Sequence, residues 1–263
     1  RARIDQNSSL TDALGNITSH MHETQFPDLL SELTYARGRF RRLISSYGGI
    51  TGVISEIQNL LNIFPDETPM TVIENACKNE NFDESGLRSA ILSLSKGNEQ
   101  DIKRGEKIKS WLDQASARSD TFFDYASIFL TDLNKPNFNI RKTLITKVAK
   151  KNAPNAAKIL FDEGGRLQRI ISKWRAVNIS ESTSSLLVLW EALLTNYQAQ
   201  KNAKSLVDYD DLILMAGDLL NRNGVAPWIL YKLDGGIDHV LVDEAQDISP
   251  AQWRVIEALV EEF

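Results

Sequence analysis

The sequence predicts a mainly α protein, a helical array that ends in a short fragment of an α/β nucleotide-hydrolase core. Three observations carry this prediction. Apolar residues recur at spacings of three and four along most of the chain, which places a hydrophobic stripe on helix after helix. Strand-like runs are almost absent before residue 238. Near the carboxyl end, the apolar run His239-Val240-Leu241-Val242 leads directly into Asp243-Glu244-Ala245-Gln246-Asp247, the pattern of a buried strand that delivers carboxylates at its tip.

Taken in order, the first twenty or so residues read as a connecting helix. Helices are expected over Pro27 to Ser46, Thr51 to Leu61, Met70 to Lys78, Glu84 to Leu94 and Asp120 to Leu133. Ile108, Trp111, Leu112 and Ala115 form one further stripe, and Ile140, Leu144, Ile145 and Val148 another. Ile159, Leu160, Leu167, Ile170, Ile171 and Trp174 continue the period across Gly164-Gly165. That pair is expected to divide the region into two helices, because glycine is entropically costly inside a helix. Leu186, Trp190, Leu193 and Tyr197 mark a long helix from about Glu181 to Lys204. Trp111, Trp174 and Trp190 lie on these stripes and are expected in the core rather than as base-stacking platforms.

The last helix has a readable start. Ser249 can cap it, and Pro250 fits the first helical position, where its missing amide costs nothing. Trp253, Ile256, Leu259 and Val260 would then face a sheet. The strand before it is apolar on both faces and needs neighbours; without them this end is expected to be disordered, rearranged or paired with another copy.

Composition narrows the class. A chain of 263 residues with 42% hydrophobic content can bury one large or two ordinary domains. Cys77 is the only cysteine, which excludes an internal disulfide and fits a reducing, cytoplasmic setting. No apolar run approaches the roughly 20 residues needed to cross a bilayer, so no membrane partner is expected.

The net charge of -5 hides an asymmetry. Residues 1 to 95 carry 8 Lys and Arg against 12 Asp and Glu, residues 96 to 175 carry 17 against 9, and residues 176 to 263 carry 5 against 14. A basic middle third in an acidic chain is the footprint of a phosphate-contacting surface, which makes DNA the expected partner. Three knots are candidates for the contact: Arg37, Arg39, Arg41 and Arg42; Lys103, Arg104 and Lys107, with Lys109 beside them; and Lys147, Lys150 and Lys151. Solvated helix faces or ion pairs with nearby acids remain the alternative for each.

Two adjacent carboxylates after a strand suit phosphoryl transfer. Asp243 at the strand's tip can hold Mg²⁺ between two phosphates, and Glu244 can orient or deprotonate the attacking water. A capped turn or solvated strand end is the alternative. ATP chemistry also needs a phosphate cradle, usually a glycine-rich loop ending in Gly-Lys-Ser or Gly-Lys-Thr. Neither tripeptide occurs in the 263 residues, and Gly48-Gly49-Ile50-Thr51-Gly52 lacks the lysine. The chain is therefore expected to be an internal fragment, inactive alone.

The segment Asp243-Glu244-Ala245-Gln246-Asp247, with Ser249-Pro250-Ala251-Gln252-Trp253 after it, resembles the second helicase motif of the UvrD-like, superfamily-one DNA helicases. Within that group it is most similar to the AddA subunit of the bacterial double-strand-break repair helicase-nuclease. Residues 228 to 238 share this likeness, as does Asp208-Tyr209-Asp210-Asp211-Leu212-Ile213, where Tyr209 stands for the family's Phe. Ile248 departs from the pattern, which usually has Thr there. The resemblance implies a layout: residues 1–22 a connecting helix, 23–204 a helical insertion in the first motor domain, and 205–263 a partial RecA-like core. It also implies that Asp243 binds Mg²⁺, that Glu244 activates water and that Gln246 and Asp247 relay nucleotide state. It further implies 3′ to 5′ translocation, an AddB-type partner subunit, duplex DNA on the insertion and a nuclease domain elsewhere. A helical DNA-binding or protein-interaction module without catalysis is the competing reading.

Overall fold

In the computed structural model, which describes residues 8–20, 24–35, 37–222, 224–232 and 239–260, helices dominate. In chain order they are α1 (Ser8–His20), α2 (Phe26–Tyr35), α3 (Arg37–Ser46), α4 (Ile50–Leu60), α5 (Pro69–Ala76), α6 (Glu84–Leu94), α7 (Glu99–Asp113), α8 (Phe122–Phe129), α9 (Lys147–Asn152), α10 (Pro154–Ala203), α11 (Tyr209–Leu220), α12 (Val225–Lys232) and α13 (Pro250–Val260). Strands β1 (Leu130–Thr131) and β2 (Asn139–Ile140) pair antiparallel, Leu130 opposite Ile140. The mainly α class read from periodicity is the class observed. The chain divides into two compact units, residues 54–184 and residues 1–53 with 185–263.

The 54–184 unit owes its definition to local capping and one continuous core. Thr68 caps α5 through a reciprocal bond with Thr71, Asp83 accepts from the Gly86 amide to start α6, and Asn98 with Asp101 closes a box on α7. These helices bury Leu87, Leu94, Ile108, Leu112, Phe122 and Phe129 against Leu160, Leu167 and Ile171 of α10. Trp111 stacks on Tyr125 with ring centroids 3.8 Å apart. α7 lies close on α6 because residue 105 is glycine; a Cβ there would sit 3.3 Å from the Cβ of Leu94.

Buried polar groups in this unit are paired, as a low-dielectric interior requires. Arg118, buried, donates to the carbonyls of Trp111, Leu112 and Cys77 and to Asn79, with its guanidinium over the rings of Phe82 and Trp111. Asp101 accepts from the Thr146 amide and hydroxyl. The Tyr125 hydroxyl donates to Glu163 at 2.9 Å, and Glu163 is held by Arg166. Burial, with the neighbouring Glu163 charge, pushes the Tyr125 phenol well above its ordinary range.

Several expected boundaries are corrected. The helix anticipated to Leu133 stops at Phe129, and Ile140 lies in β2 rather than on a helix with Leu144 and Ile145, which are buried in the following connection. Strand pairing between residues ten apart overrides a spacing that also fits a helix. The break expected at Gly164-Gly165 does not occur, since α10 is continuous for 50 residues. Each glycine costs about 1 kcal/mol against alanine, but a Cβ at Gly164 would lie 3.0 Å from Ile140 Cγ2, so the glycine admits the hairpin against the helix.

In the unit of residues 1–53 and 185–263, Trp190 of α10 donates its indole N–H to the Leu33 carbonyl at 3.1 Å and lies 5.5 Å from the ring of Phe40. Trp111 and Trp190 are buried and Trp174 packs on Phe123, as their place on apolar stripes predicts. α11 packs on α13 and α12. α13 begins as anticipated: the Gln252 amide donates to Ser249 Oγ at 3.3 Å, and the Ser249 amide donates to Gln252 Oε1 at 2.7 Å. α13 packs on helix α11, with Val255 beside Gly217, and among the described residues no sheet lies beside it.

The strand expected at residues 240–242 is not formed. Leu241 is 98% exposed and Val240 42%. A strand exists through its pairing, and among the described residues no other strand lies beside this segment, so its backbone is left in extended coil. Among the described residues no helix is long and apolar enough to cross a membrane.

Candidate functional site

The acidic segment forms a turn. Glu244 adopts left-handed backbone angles, φ 47° and ψ 47°, and a single 3₁₀ turn, Ala245–Asp247, follows. That conformation is sparsely used by residues with a Cβ and signals a constrained bend. Two bonds shape it: the Glu244 amide donates to Asp243 Oδ1 at 2.9 Å, and the Asp247 amide donates to the Glu244 carbonyl at 2.8 Å. The Gln246 side-chain amide donates to the Glu244 carboxylate. Asp243, Glu244, Gln246 and Asp247 are all exposed.

This donor set suits Mg²⁺ acting with a nucleotide. Magnesium keeps several waters and is usually held by one or two carboxylates plus substrate phosphates rather than by a protein cage. An exposed aspartate on a bend matches that requirement, and among the described residues no group of three or more metal-ligating side chains is gathered.

A second acidic cluster is built differently. Asp208 caps α11 by accepting from the Asp211 amide at 2.9 Å, and the Asp208 amide donates to Asp211 Oδ2 at 3.1 Å. Arg37 pairs with Asp208, lies 3.3 Å from Asp211 and 3.7 Å from Asp210. Lys201 bonds to Asp208 at 3.0 Å and to Asp211, while the Tyr197 hydroxyl donates to Asp208 at 2.9 Å. Burial alone would raise the Asp208 carboxyl, yet the bonds from Arg37, the Asp211 amide, Lys201 and Tyr197 hold it far below the usual carboxylate range. Burial likewise opposes the charge on Lys201, and the Asp211 and Asp208 carboxylates more than restore it.

The network removes Arg37 from the phosphate-gripping set expected from sequence. Its side chain is 5% exposed and committed to carboxylates, with Nε buried and, among the described residues, without a hydrogen-bond partner. Lys201 was not anticipated as its co-cation. The α10 stripe shows which face of that helix is buried, but nothing in sequence pairs Lys201 with a residue on α3.

The remaining basic candidates divide by environment. Arg41 and Arg42 are exposed on α3; Arg39 lies on the same helix, with its side chain outside the described residues. Lys103 is exposed and paired with Glu99 at 2.6 Å, and Lys107 is exposed one turn later on α7. Arg104 donates to the Leu144 carbonyl at 2.6 Å and stands 3.8 Å from Asp101; burial lowers its pKa against the Asp101 charge that supports it. Arg104 therefore joins α7 to the 140s segment. Lys147 and Lys150 are exposed on α9, and the Lys151 side chain lies outside the described residues.

A family model described as the UvrD/REP helicase N-terminal domain matches residues 34–263. Comparison with curated proteins and with solved structures found no match. The family match spans most of the chain and includes both the Asp208–Asp211 cap and the acidic bend at Asp243–Asp247, two of the segments in which the sequence resemblance resides. The chain belongs to the UvrD/REP helicase family, the ATP-dependent DNA helicases whose N-terminal domain it matches.

Proposed function

We propose that this chain is part of the first motor domain of an AddA-type helicase subunit that works on DNA in double-strand-break repair with an AddB-type partner. In this reading residues 23–204 are the helical insertion, 205–263 the partial RecA-like core and 1–22 a connecting helix. Asp243 would hold Mg²⁺. Bound there with ATP, the ion would neutralise charge on the β and γ phosphates. Glu244 orients or deprotonates the attacking water. Gln246, bonded to the Glu244 carboxylate, and Asp247, bonded to the Glu244 carbonyl, are positioned to transmit a change at that base. The observation that carries the proposal is this Gln246–Glu244 bond within a bend that the family match covers.

The phosphate-contacting set is Arg39, Arg41, Arg42, Lys103, Lys107, Lys147, Lys150 and Lys151. The second reading is a helical DNA-binding module without catalysis, in which the acidic bend is a solvated turn. One experiment decides between them: DNA-stimulated ATP hydrolysis and nucleotide binding by the full-length gene product and its Glu244→Gln variant. The expected result is hydrolysis reduced by about two orders of magnitude or more with binding retained, the mark of an interaction used only in the transition state. Undiminished hydrolysis in the variant, or equal loss of binding, overturns the role of Glu244. The 263-residue chain, which contains no Gly-Lys-Ser or Gly-Lys-Thr loop, is expected to show no turnover.

A further inference from the structure

Within the 54–184 unit, the connection after β2, α9 and the first two turns of α10 enclose an open cavity of about 390 Å³. Its lining combines four cations, Arg141, Lys142, Lys150 and Lys158, with an apolar wall that includes Phe161. Among the described residues no carboxylate lines it. Among the described residues none of the four cations is ion-paired. Arg141 is fixed in place, its Nε donating to the Ser127 carbonyl at 3.1 Å and its backbone amide to the Phe129 carbonyl at 2.8 Å. Phe161 is 57% exposed.

Four like charges around one cavity repel each other, and without an anion the arrangement has no internal compensation. An anchored guanidinium beside three ammonium groups is a phosphate-binding set, since the fork fixes orientation and the lysines supply charge. An exposed ring beside such cations offers a face on which a base can stack. The volume lies within the range of small-ligand sites.

We propose that this cavity seats one unpaired nucleotide of a DNA strand, with its phosphates among Arg141, Lys142, Lys150 and Lys158 and its base against Phe161. The proposal rests on the DNA-helicase reading and assigns a defined contact to it. Arg141, Lys142, Lys158 and Phe161 come from the loop and from α10, outside the three basic knots visible in the sequence.

The test is fluorescence anisotropy of a labelled oligo-dT with the 263-residue chain, across a salt series. The variants are K142E/K158E, F161A and K103E/K107E, each checked for native helicity by circular dichroism. The expected result is a tenfold or greater loss for K142E/K158E, with a salt slope smaller by about two. F161A should lose about fivefold or more on the normal strand and nothing on an abasic one. Inorganic phosphate should compete only weakly, because one phosphate engages a fraction of the site. If K142E/K158E matches the parent while K103E/K107E loses affinity, the cavity is overturned and DNA binding stands. If millimolar phosphate is bound and lost in K142E/K158E without any change in oligo-dT affinity, the site belongs to a free anion and the proposal fails. No DNA binding by the parent chain overturns the cavity proposal and leaves the helicase reading to the Glu244→Gln experiment.

Discussion

Replacing Arg37 by methionine tests whether the cluster around Asp208 is a structural network or a phosphate grip. The substitution keeps an apolar stem of similar reach and deletes the charge. Asp208 and Asp211 then keep Lys201 as their cation, and Asp210 loses its contact with Arg37. Arg37, Lys201 and Asp211 have side-chain exposures of 5%, 7% and 10%, so their charges have little water to fall back on. Removing one partner of such a buried pair costs about 3 to 5 kcal/mol. Asp208 and Asp210, at 29% and 45% exposure, can regain water, which favours the lower end. A loss of about 3 kcal/mol lowers the melting temperature by roughly 6 to 12 °C in a chain of this size. A solvated surface pair would give less than about 1 kcal/mol. Urea unfolding at fixed slope measures the difference, and a double cycle with Asp208→Asn should return a coupling of about 1 kcal/mol or more.

The same variant makes a pH prediction. The folded Asp208 carboxyl is depressed, so its stabilisation is present above its unfolded pKa, roughly 4, and is lost as pH falls through the folded value. Arg37→Met weakens that depression. The stability gap between parent and variant should therefore be widest near neutral pH and narrow steadily below about pH 5. A loss under about 1 kcal/mol with no pH dependence would refute the network argument. Reduced DNA affinity at unchanged stability would return Arg37 to the phosphate-contacting set.

Arg118→Met should cost about 3 kcal/mol or more in urea unfolding, because it orphans the carbonyls of Trp111, Leu112 and Cys77 at once; Arg118→Lys should recover only part, since one ammonium cannot reproduce the fork. A near-neutral Arg118→Met would show that water replaces the guanidinium. Burial pushes the Cys77 thiol upward against the bond from Ser119 and the charges of Arg166 and Arg118. The thiol should stay protonated and react slowly with a thiol reagent at pH 8 until the protein is unfolded in urea; rapid stoichiometric labelling of the native chain would contradict this.

Much of the helical framework is legible in sequence because it is local. The limits of α6 fall where periodicity places them, and the Ser249 and Pro250 start of α13 follows from which groups a helix end leaves unbonded. The adjacent carboxylates Asp243 and Glu244 are visible as letters. Their left-handed bend and the Gln246–Glu244 bond are not, because both depend on how the preceding segment is or is not paired.

Sequence alone determines the mainly α class, the run of carboxylates at Asp243, Glu244 and Asp247 and the uneven distribution of charge, since each depends on the kinds and order of residues along the chain. Tertiary structure decides the rest. Arg37 is a structural cation only because folding brings it to Asp208, 171 residues away. Gly164 sits within an unbroken helix because Ile140 packs where a side chain would have been. The cation-lined cavity exists because a loop after β2 meets the start of α10. Local preferences amount to about 1 kcal/mol per residue, whereas burying a charge or excluding a Cβ is decided by whatever the folded chain places beside it.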